Sequence, residues 1–318
     1  MAKKIAVVGA TGLVGRTVVD ILSHQNIEDL DVYLFASKLS HGKILKFSNT
    51  RLKVCALDKD AANLNFDYVL MCTNENVSKK YVPLFSKKSV VIDFSSQFRH
   101  KFPLIVPQIN FNDIKGNIIC NPNCSTVGVC MALNGIAKTF GLEEITISTY
   151  QSLSGAGQLG LLDKFEKDAK KLKKLDYVID NNLIPYIGKI ENDGFCTEEH
   201  KLMYETKKIL HLDDVVVRAQ TTRVPIDVCH GESIFFKTKK PATTKQLCDA
   251  VVQTKNCKMV EFAMPILASG KDDVLVSRIR QCEDDRHFCM FVTIDNLRKG
   301  AAQNGVEILL KYLGREYV

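Results

Sequence analysis

The chain has 318 residues, 46% of them hydrophobic and 25% charged, which is ordinary globular composition and enough for one large domain or two smaller ones. Its longest apolar stretches, such as residues 5–10, fall far short of the roughly 20 residues of a membrane helix, and the run after Lys3 and Lys4 is too short for a secretory signal, so a cytoplasmic protein with no membrane partner is expected. The net charge of +7 is dispersed, Trp is absent and no stacking-aromatic ribonucleoprotein pattern occurs, which argues against nucleic acid and for a small anionic substrate. The eleven cysteines form no CxxC pair, so neither a disulfide framework nor a metal site is indicated.

Residues 4–8 form a continuous apolar, β-branched run that leads into Gly9-Ala-Thr-Gly12-Leu-Val-Gly15, after which Val18, Val19, Ile21 and Leu22 recur at helical spacing. Further β-like runs lie at 32–36, 53–57, 68–72, 90–94 and 118–120, with a helical stretch at 76–85. This alternation predicts an α/β fold with a Rossmann-type, doubly wound parallel sheet. The lysines of residues 167–174 read as one face of a helix. Beyond residue 140 the strands lengthen and alternate, at 145–151, 215–222, 233–238, 274–279 and 288–295, which predicts a second, mixed α+β domain. The segment 296–313 reads as a terminal helix capped by Asp295 and Asn296.

The glycines at 9, 12 and 15 follow the first strand directly, where backbone can approach a pyrophosphate and the helix N-terminus faces its charge. The end of the second strand, where an acid would accept from an NAD ribose, reads Phe35-Ala-Ser-Lys-Leu-Ser-His-Gly-Lys43. With no acid, and with Ser37, Lys38, Ser40 and Lys43 at hand, this turn favours NADP, although a lysine-rich surface turn would read the same way.

Asn121-Pro-Asn-Cys124-Ser-Thr126 stands between an apolar strand and an apolar helical run, which sets Cys124 at or near a helix N-terminus. There the macrodipole and unpaired N–H groups favour a thiolate and could cradle an oxyanion, so Cys124 is the candidate nucleophile. Among seven histidines, His230 alone is held between a strand, Pro225 and Gly231 rather than in polar surface sequence, and it is the candidate base.

The segments GATGLVG, NPNCST, QSLSGAG, RVPIDVCHGES and DNLRKGAAQN, in this order from Lys4 to about Val306, resemble aspartate-semialdehyde dehydrogenases of the bacterial type. The resemblance implies NADPH-dependent conversion of L-aspartyl 4-phosphate to L-aspartate 4-semialdehyde and phosphate through a thioester, in lysine, threonine and methionine biosynthesis, by a homodimer. It implies Cys124 as nucleophile and His230 as acid–base. Arg99, Asn123 and Lys201 would serve the substrate phosphate, Gln151 its orientation, Glu198 its ammonium group and Arg223 its α-carboxylate. Cofactor contacts are implied for Gly9, Thr11, Gly12, Leu13, Val14, Gly15, Ser37, Lys38, Ser40, Thr73, Ser154, Gly155, Asn296 and Gly300. The implied division is a dinucleotide domain of residues 1–124 with a returning 297–318, and a catalytic and dimerisation domain of 125–296.

Three positions depart from the family pattern. Leu39 stands where an arginine often reaches the 2′-phosphate, leaving that contact to Lys38 or Lys43; Cys229 replaces a glycine before the base; Gly128 replaces a glutamine after the nucleophile. Rival readings are another acyl-phosphate reductase, such as N-acetylglutamyl-phosphate reductase or glyceraldehyde-3-phosphate dehydrogenase, and a non-catalytic nucleotide-binding protein on the same fold. The ammonium-binding Glu198 and the spacing from Arg223 to His230 separate the first, and a thiol and imidazole in one site argue against the second.

Overall fold

The computed structural model describes residues 2–25, 27 and 29–317. The chain divides into two compact units, Met1–Pro122 with Ala301–Val318, and Asn123–Gly300. The breaks fall at 122/123 and 300/301, where the sequence placed them at 124/125 and 296/297. Asn123 and Cys124 begin a helix that packs on the second unit's sheet, which draws the first break forward.

The first unit is built on seven strands: β1 (Lys3–Val8), β2 (Leu30–Ala36), β3 (Ile44–Phe47), β4 (Thr50–Ala56), β5 (Tyr68–Met71), β6 (Val90–Asp93) and β7 (Ile118–Cys120). They are ordered β3-β4-β2-β1-β5-β6-β7, all parallel except the hairpin partner β3. The apolar run of β1 serves both faces of the sheet. Ile5 and Val7 pack with Val18, Val19, Leu22 of helix α1 (Leu13–His24) and with Val306 and Leu309 of the last helix, while Ala6 and Val8 pack with Tyr81, Val82 and Phe85 of α2 (Glu75–Phe85). Near-continuous apolar strands are what a parallel sheet covered on both faces requires. Asn74 caps α2 by accepting the N–H of Val77 at 3.1 Å.

The second unit holds α3 (Cys124–Phe140), β8 (Leu142–Gln151), α4 (Gly157–Asp163), α5 (Thr197–Leu210), β9 (Val216–Arg223), β10 (His230–Thr238), α6 (Thr244–Val252), β11 (Cys257–Met259), α7 (Pro265–Ala268), β12 (Val274–Gln281) and β13 (His287–Ile294). Its six-stranded sheet runs β11-β12-β13-β10-β8-β9, with β8–β9 and β11–β12 parallel and the other pairs antiparallel. Side chains alternate in period 2, so Thr149 and Gln151, Thr221 and Arg223, and His230 and Glu232 share the face that α3 and α5 cover. The opposite face leaves Tyr150, Val216 and Phe235 exposed.

Two readings from the sequence need correction. Residues 167–174 form no helix beyond a 3-10 turn at Ala169–Lys171. Asp163 accepts the N–H groups of Lys173, Lys174 and Leu175 at 2.7–2.8 Å and Asp168 accepts that of Lys170, so side chains take the donors a helix would have used. The terminal helix α8 (Gln303–Tyr312) begins later than expected, after a π-helical turn at Arg298–Ala302. Asp295 does cap this turn, through the N–H groups of Leu297 and Arg298, whereas the Asn296 amide points elsewhere. Among the described residues no helix is long and apolar enough to cross a membrane.

Candidate active site

Pro122 ends the extended segment after β7, and Asn123 makes α3 begin at Cys124. Asn123 Oδ1 accepts the N–H of Ser125 at 3.0 Å and of Thr126 at 3.3 Å. Its Nδ2 donates to Glu198 Oε1 at 2.7 Å, and its backbone N–H donates to Glu205 Oε2 at 2.7 Å. The residue before the thiol is therefore tied at three points, and the thiol sits at the positive end of a 17-residue helix.

Cys124 Sγ lies 3.1 Å from Nε2 of His230, which opens β10 and is fully buried. The other ring nitrogen, Nδ1, accepts the backbone N–H of Ser152 at 3.1 Å. A ring nitrogen that accepts carries no proton, so the neutral imidazole holds its proton on Nε2, towards the sulfur. Burial, reinforced by the Arg223 charge, pushes the imidazole pKa down to about 3. The ring is thus neutral near pH 7 and presents an N–H to whatever negative charge develops at Cys124.

A charged cluster stands beside this pair. Burial raises the Glu198 carboxyl, but Lys201, Asn123 and Arg223 outweigh it and hold the group below the usual carboxylate range. Lys201 Nζ lies 3.3 Å from Glu198 Oε2, and Gln151 Nε2 3.4 Å from Oε1. Arg223 donates through Nη1 to Ser152 O at 2.6 Å, and burial lowers its pKa against the pull of Glu198 and Cys124. Glu198, Lys201 and Arg223 line a pocket of about 460 Å3 with Gly155, Tyr186, Lys174 and Lys189. Two acids, Glu198 and Asp176, and four cations, Lys174, Lys189, Lys201 and Arg223, line this one cavity, an excess of cations that suits an amino-acid substrate with more than one negative group.

Glycines leave room here. A Cβ on Gly155 would meet Arg223 Nη1 at 2.9 Å and His230 Cε1 at 3.2 Å, and one on Gly300 would meet Cys124 Cβ at 3.1 Å. Asn296 is buried, and its Oδ1 accepts from Cys229 N, Ser152 Oγ and Ser154 Oγ, so it braces the strand ends that carry His230. Cys229 itself adopts φ +77°, the left-handed region that a glycine would occupy without strain.

In the first unit the glycine loop fits a dinucleotide. Gly9 has φ +85°, and a Cβ there would fall 2.2 Å from Cys72 O; one on Gly15 would fall 2.1 Å from Gly9 O. Gly12 is the N-cap of α1, no side chain caps that helix, and its first turn, with Leu13 and Val14, has no acid, which suits a pyrophosphate. Thr11 Oγ1 donates to Ser40 Oγ at 3.1 Å, joining the loop to the turn after β2, where Ser37 and Lys38 are exposed and Leu39 is 93% exposed. Thr73 lies against Gly9 and lines a pocket with Asn74, Ser95 and Ser96. Arg99, also in this unit, is 7% exposed and donates to Phe94 O at 3.0 Å.

Sequence reasoning passed over three residues. Glu205 holds the Asn123 N–H, Ser125 Oγ accepts Gln151 Nε2 at 2.9 Å, and Ser152 contacts both His230 and Arg223. Glu205 was within reach, because residues 198, 201 and 205 share one face of a helix.

Residues 4–117 match the family model for the semialdehyde dehydrogenase NAD binding domain, and residues 133–299 that for the semialdehyde dehydrogenase dimerisation domain. The chain is 37% identical to the aspartate-semialdehyde dehydrogenase of Aquifex aeolicus, covering 97% of each, and 35% identical to that of Bacillus subtilis, covering 96% of this chain and 95% of the other. Its fold matches the crystal structure of Vibrio cholerae aspartate semialdehyde dehydrogenase II complexed with ASA, with a TM-score of 0.93 at 32% identity over the whole of both chains. The chain belongs to the aspartate-semialdehyde dehydrogenase family, and its first unit is that family's nucleotide-binding domain.

Proposed function

We propose that this chain reduces L-aspartyl 4-phosphate to L-aspartate 4-semialdehyde with NADPH, through a thioester on Cys124. The observation that carries the reading is the Cys124–His230 contact of 3.1 Å at the start of α3, beside the pocket lined by Glu198, Lys201 and Arg223. Arg223 takes the α-carboxylate, Glu198 the ammonium group, and Lys201 with Arg99 and Asn123 the phosphate. Gln151 orients the acyl group.

The Cys124 thiolate attacks the acyl carbonyl, a carbon–sulfur bond forms and the carbon–oxygen bond to phosphate breaks. His230 Nε2–H donates a hydrogen bond to the departing phosphate oxygen, which takes up its proton from water. A dinucleotide held on the loop from Gly9 to Gly15 would supply the hydride that reduces the thioester carbon. His230 then steadies the resulting oxyanion until the carbon–sulfur bond breaks, releasing the aldehyde and restoring the thiolate. NADP is favoured over NAD because the turn after β2 carries Ser37, Lys38 and Ser40 and no acid. The cofactor residues are Gly9, Thr11, Gly12, Leu13, Val14 and Gly15 of the loop, Thr73, and Ser154, Gly155, Asn296 and Gly300. A homodimer is supported by the dimerisation-domain match and by Tyr150, Val216 and Phe235 exposed on the sheet's free face.

The test is purified protein with L-aspartate 4-semialdehyde, phosphate and NADP or NAD, followed at the nicotinamide absorbance. Phosphate-dependent reduction of the cofactor is expected, faster with NADP. No reduction of either cofactor by folded protein would refute the assignment.

A further inference from the structure

Glu232 stands two residues after His230 on β10, on the same face of the sheet, and is fully buried. In register it lies between Thr149 of β8 and Val292 of β13. Neither carboxyl oxygen completes a well-formed hydrogen bond, nor does Thr149 Oγ1, and the polar side chain that acts on the carboxyl is the Ser125 hydroxyl. Among the described residues no ion pair includes Glu232. Burial pushes its pKa well above the ordinary carboxylate value, opposed only by the Ser125 hydroxyl that faces it. A solitary acid is costly in such a place and native proteins retain few of them.

The surroundings suggest what the acid does. α3 makes room for it at Gly128, where a Cβ would fall 2.7 Å from Glu232 Oε2. On the far side, Ser125 Oγ accepts Gln151 Nε2 at 2.9 Å, so the Ser125 hydroxyl proton is left to be given. The acceptor that faces it is Glu232.

We propose that Glu232 is a positioning residue for Gln151: its carboxyl accepts a hydrogen bond from the Ser125 hydroxyl, which turns the Ser125 lone pair to Gln151 Nε2 and sets the direction of the Gln151 amide at the substrate. The inference rests on the proposed reaction for its kinetic readout and on the Gln151 amide for a second readout that needs no reaction.

The experiment compares E232Q, E232L, S125A and the E232L/S125A pair. E232Q keeps a carbonyl acceptor for Ser125 and is expected to retain the wild-type KM for the semialdehyde. E232L is expected to lose about 10-fold to 100-fold in kcat/KM for the semialdehyde, as a misdirected orienting group does, with the KM for the cofactor unchanged. The double variant should lose no more than the larger single loss, since both changes act through one amide. Where E232L does not fold, G128A, whose methyl would crowd Oε2, is expected to give the same split. Wild-type constants in the folded E232L or G128A protein, or losses that add in the double variant, would overturn the proposal. Crystal structures of wild type and E232L decide it even if the wild type turns over no semialdehyde: a Gln151 amide that keeps its bond to Ser125 overturns it, and a rotated one supports it.

Discussion

His230 reaches Cys124 Sγ with Nε2 at 3.1 Å while its Nδ1 accepts the N–H of Ser152 at the same distance, so the ring's single proton faces the sulfur. The amide of His230→Gln can put an N–H near the Nε2 position, and that of His230→Asn only near Nδ1. His230→Gln should therefore keep more activity than His230→Asn, with both down by up to about 10²-fold to 10³-fold in kcat, the cost of losing a donor to developing negative charge. Steady-state kinetics check the order; Asn surpassing Gln would place the proton on Nδ1.

The same burial governs stability towards acid. An unfolded chain takes up the His230 proton near pH 6.5, while the folded site refuses it until about pH 3. Between those values the unfolded state binds more protons, so this group erodes stability as the pH falls from 6.5 towards 3 and has no effect above 6.5. Urea unfolding of wild type and His230→Asn at pH 7, 5.5 and 4.5 should show the variant losing less with acid, by at most about 1.4 kcal/mol per pH unit. Parallel pH profiles would mean that the folded site admits the proton.

Leu39 is 93% exposed in the turn that would meet the cofactor's 2′-phosphate. Leu39→Arg offers that phosphate a planar, bidentate cation and should raise the NADP over NAD ratio of kcat/KM by about 10-fold. An unchanged ratio would move the 2′-phosphate away from this turn.

Cys229 holds φ +77° beside the base, where a Cβ is strained. Cys229→Gly relieves that strain but loses a buried thiol and frees the unfolded backbone, so the strain of about 1–3 kcal/mol is only partly recovered. The expected net change is within about 1 kcal/mol in thermal unfolding, with His230 still aligned and kcat within about threefold of wild type. A large loss of activity would show that the Cys229 thiol itself serves the site.

Gly155→Ala puts a methyl 2.9 Å from Arg223 Nη1 and close to the His230 ring. It should lower kcat/KM by about 10²-fold through displaced groups while leaving the fold intact, read by kinetics beside circular dichroism. Undiminished activity would mean that Arg223 and the ring can yield without cost.

Where side chains follow a strict period, the fold was legible. The apolar run of β1, its glycine turn and α1 read directly, and Cys124 stood out because Pro122 and Asn123 end one element and begin the next. Short elements did not read. β3 and β11 are edge strands of four and three residues, too brief for a pattern. The lysine-rich stretch after α4 looked helical by charge spacing, but Asp163, a residue outside it, captures its backbone donors from a distance in sequence. Glu232 was illegible for a different reason: an acid in an alternating strand ordinarily reads as solvent-facing, and only the register with Thr149 and the gap at Gly128 show that it points inward.

At Asn123 a single amide serves both the start of α3 and the charged cluster. Hydrolysis of that side chain to a carboxylate would keep the acceptor that starts α3 but replace the donor to Glu198 Oε1, now 2.7 Å away, with a second negative charge. The helix would survive such ageing and the Asn123–Glu198 bond would not, so a chain damaged at this position would keep its shape and lose the ammonium binding proposed for Glu198.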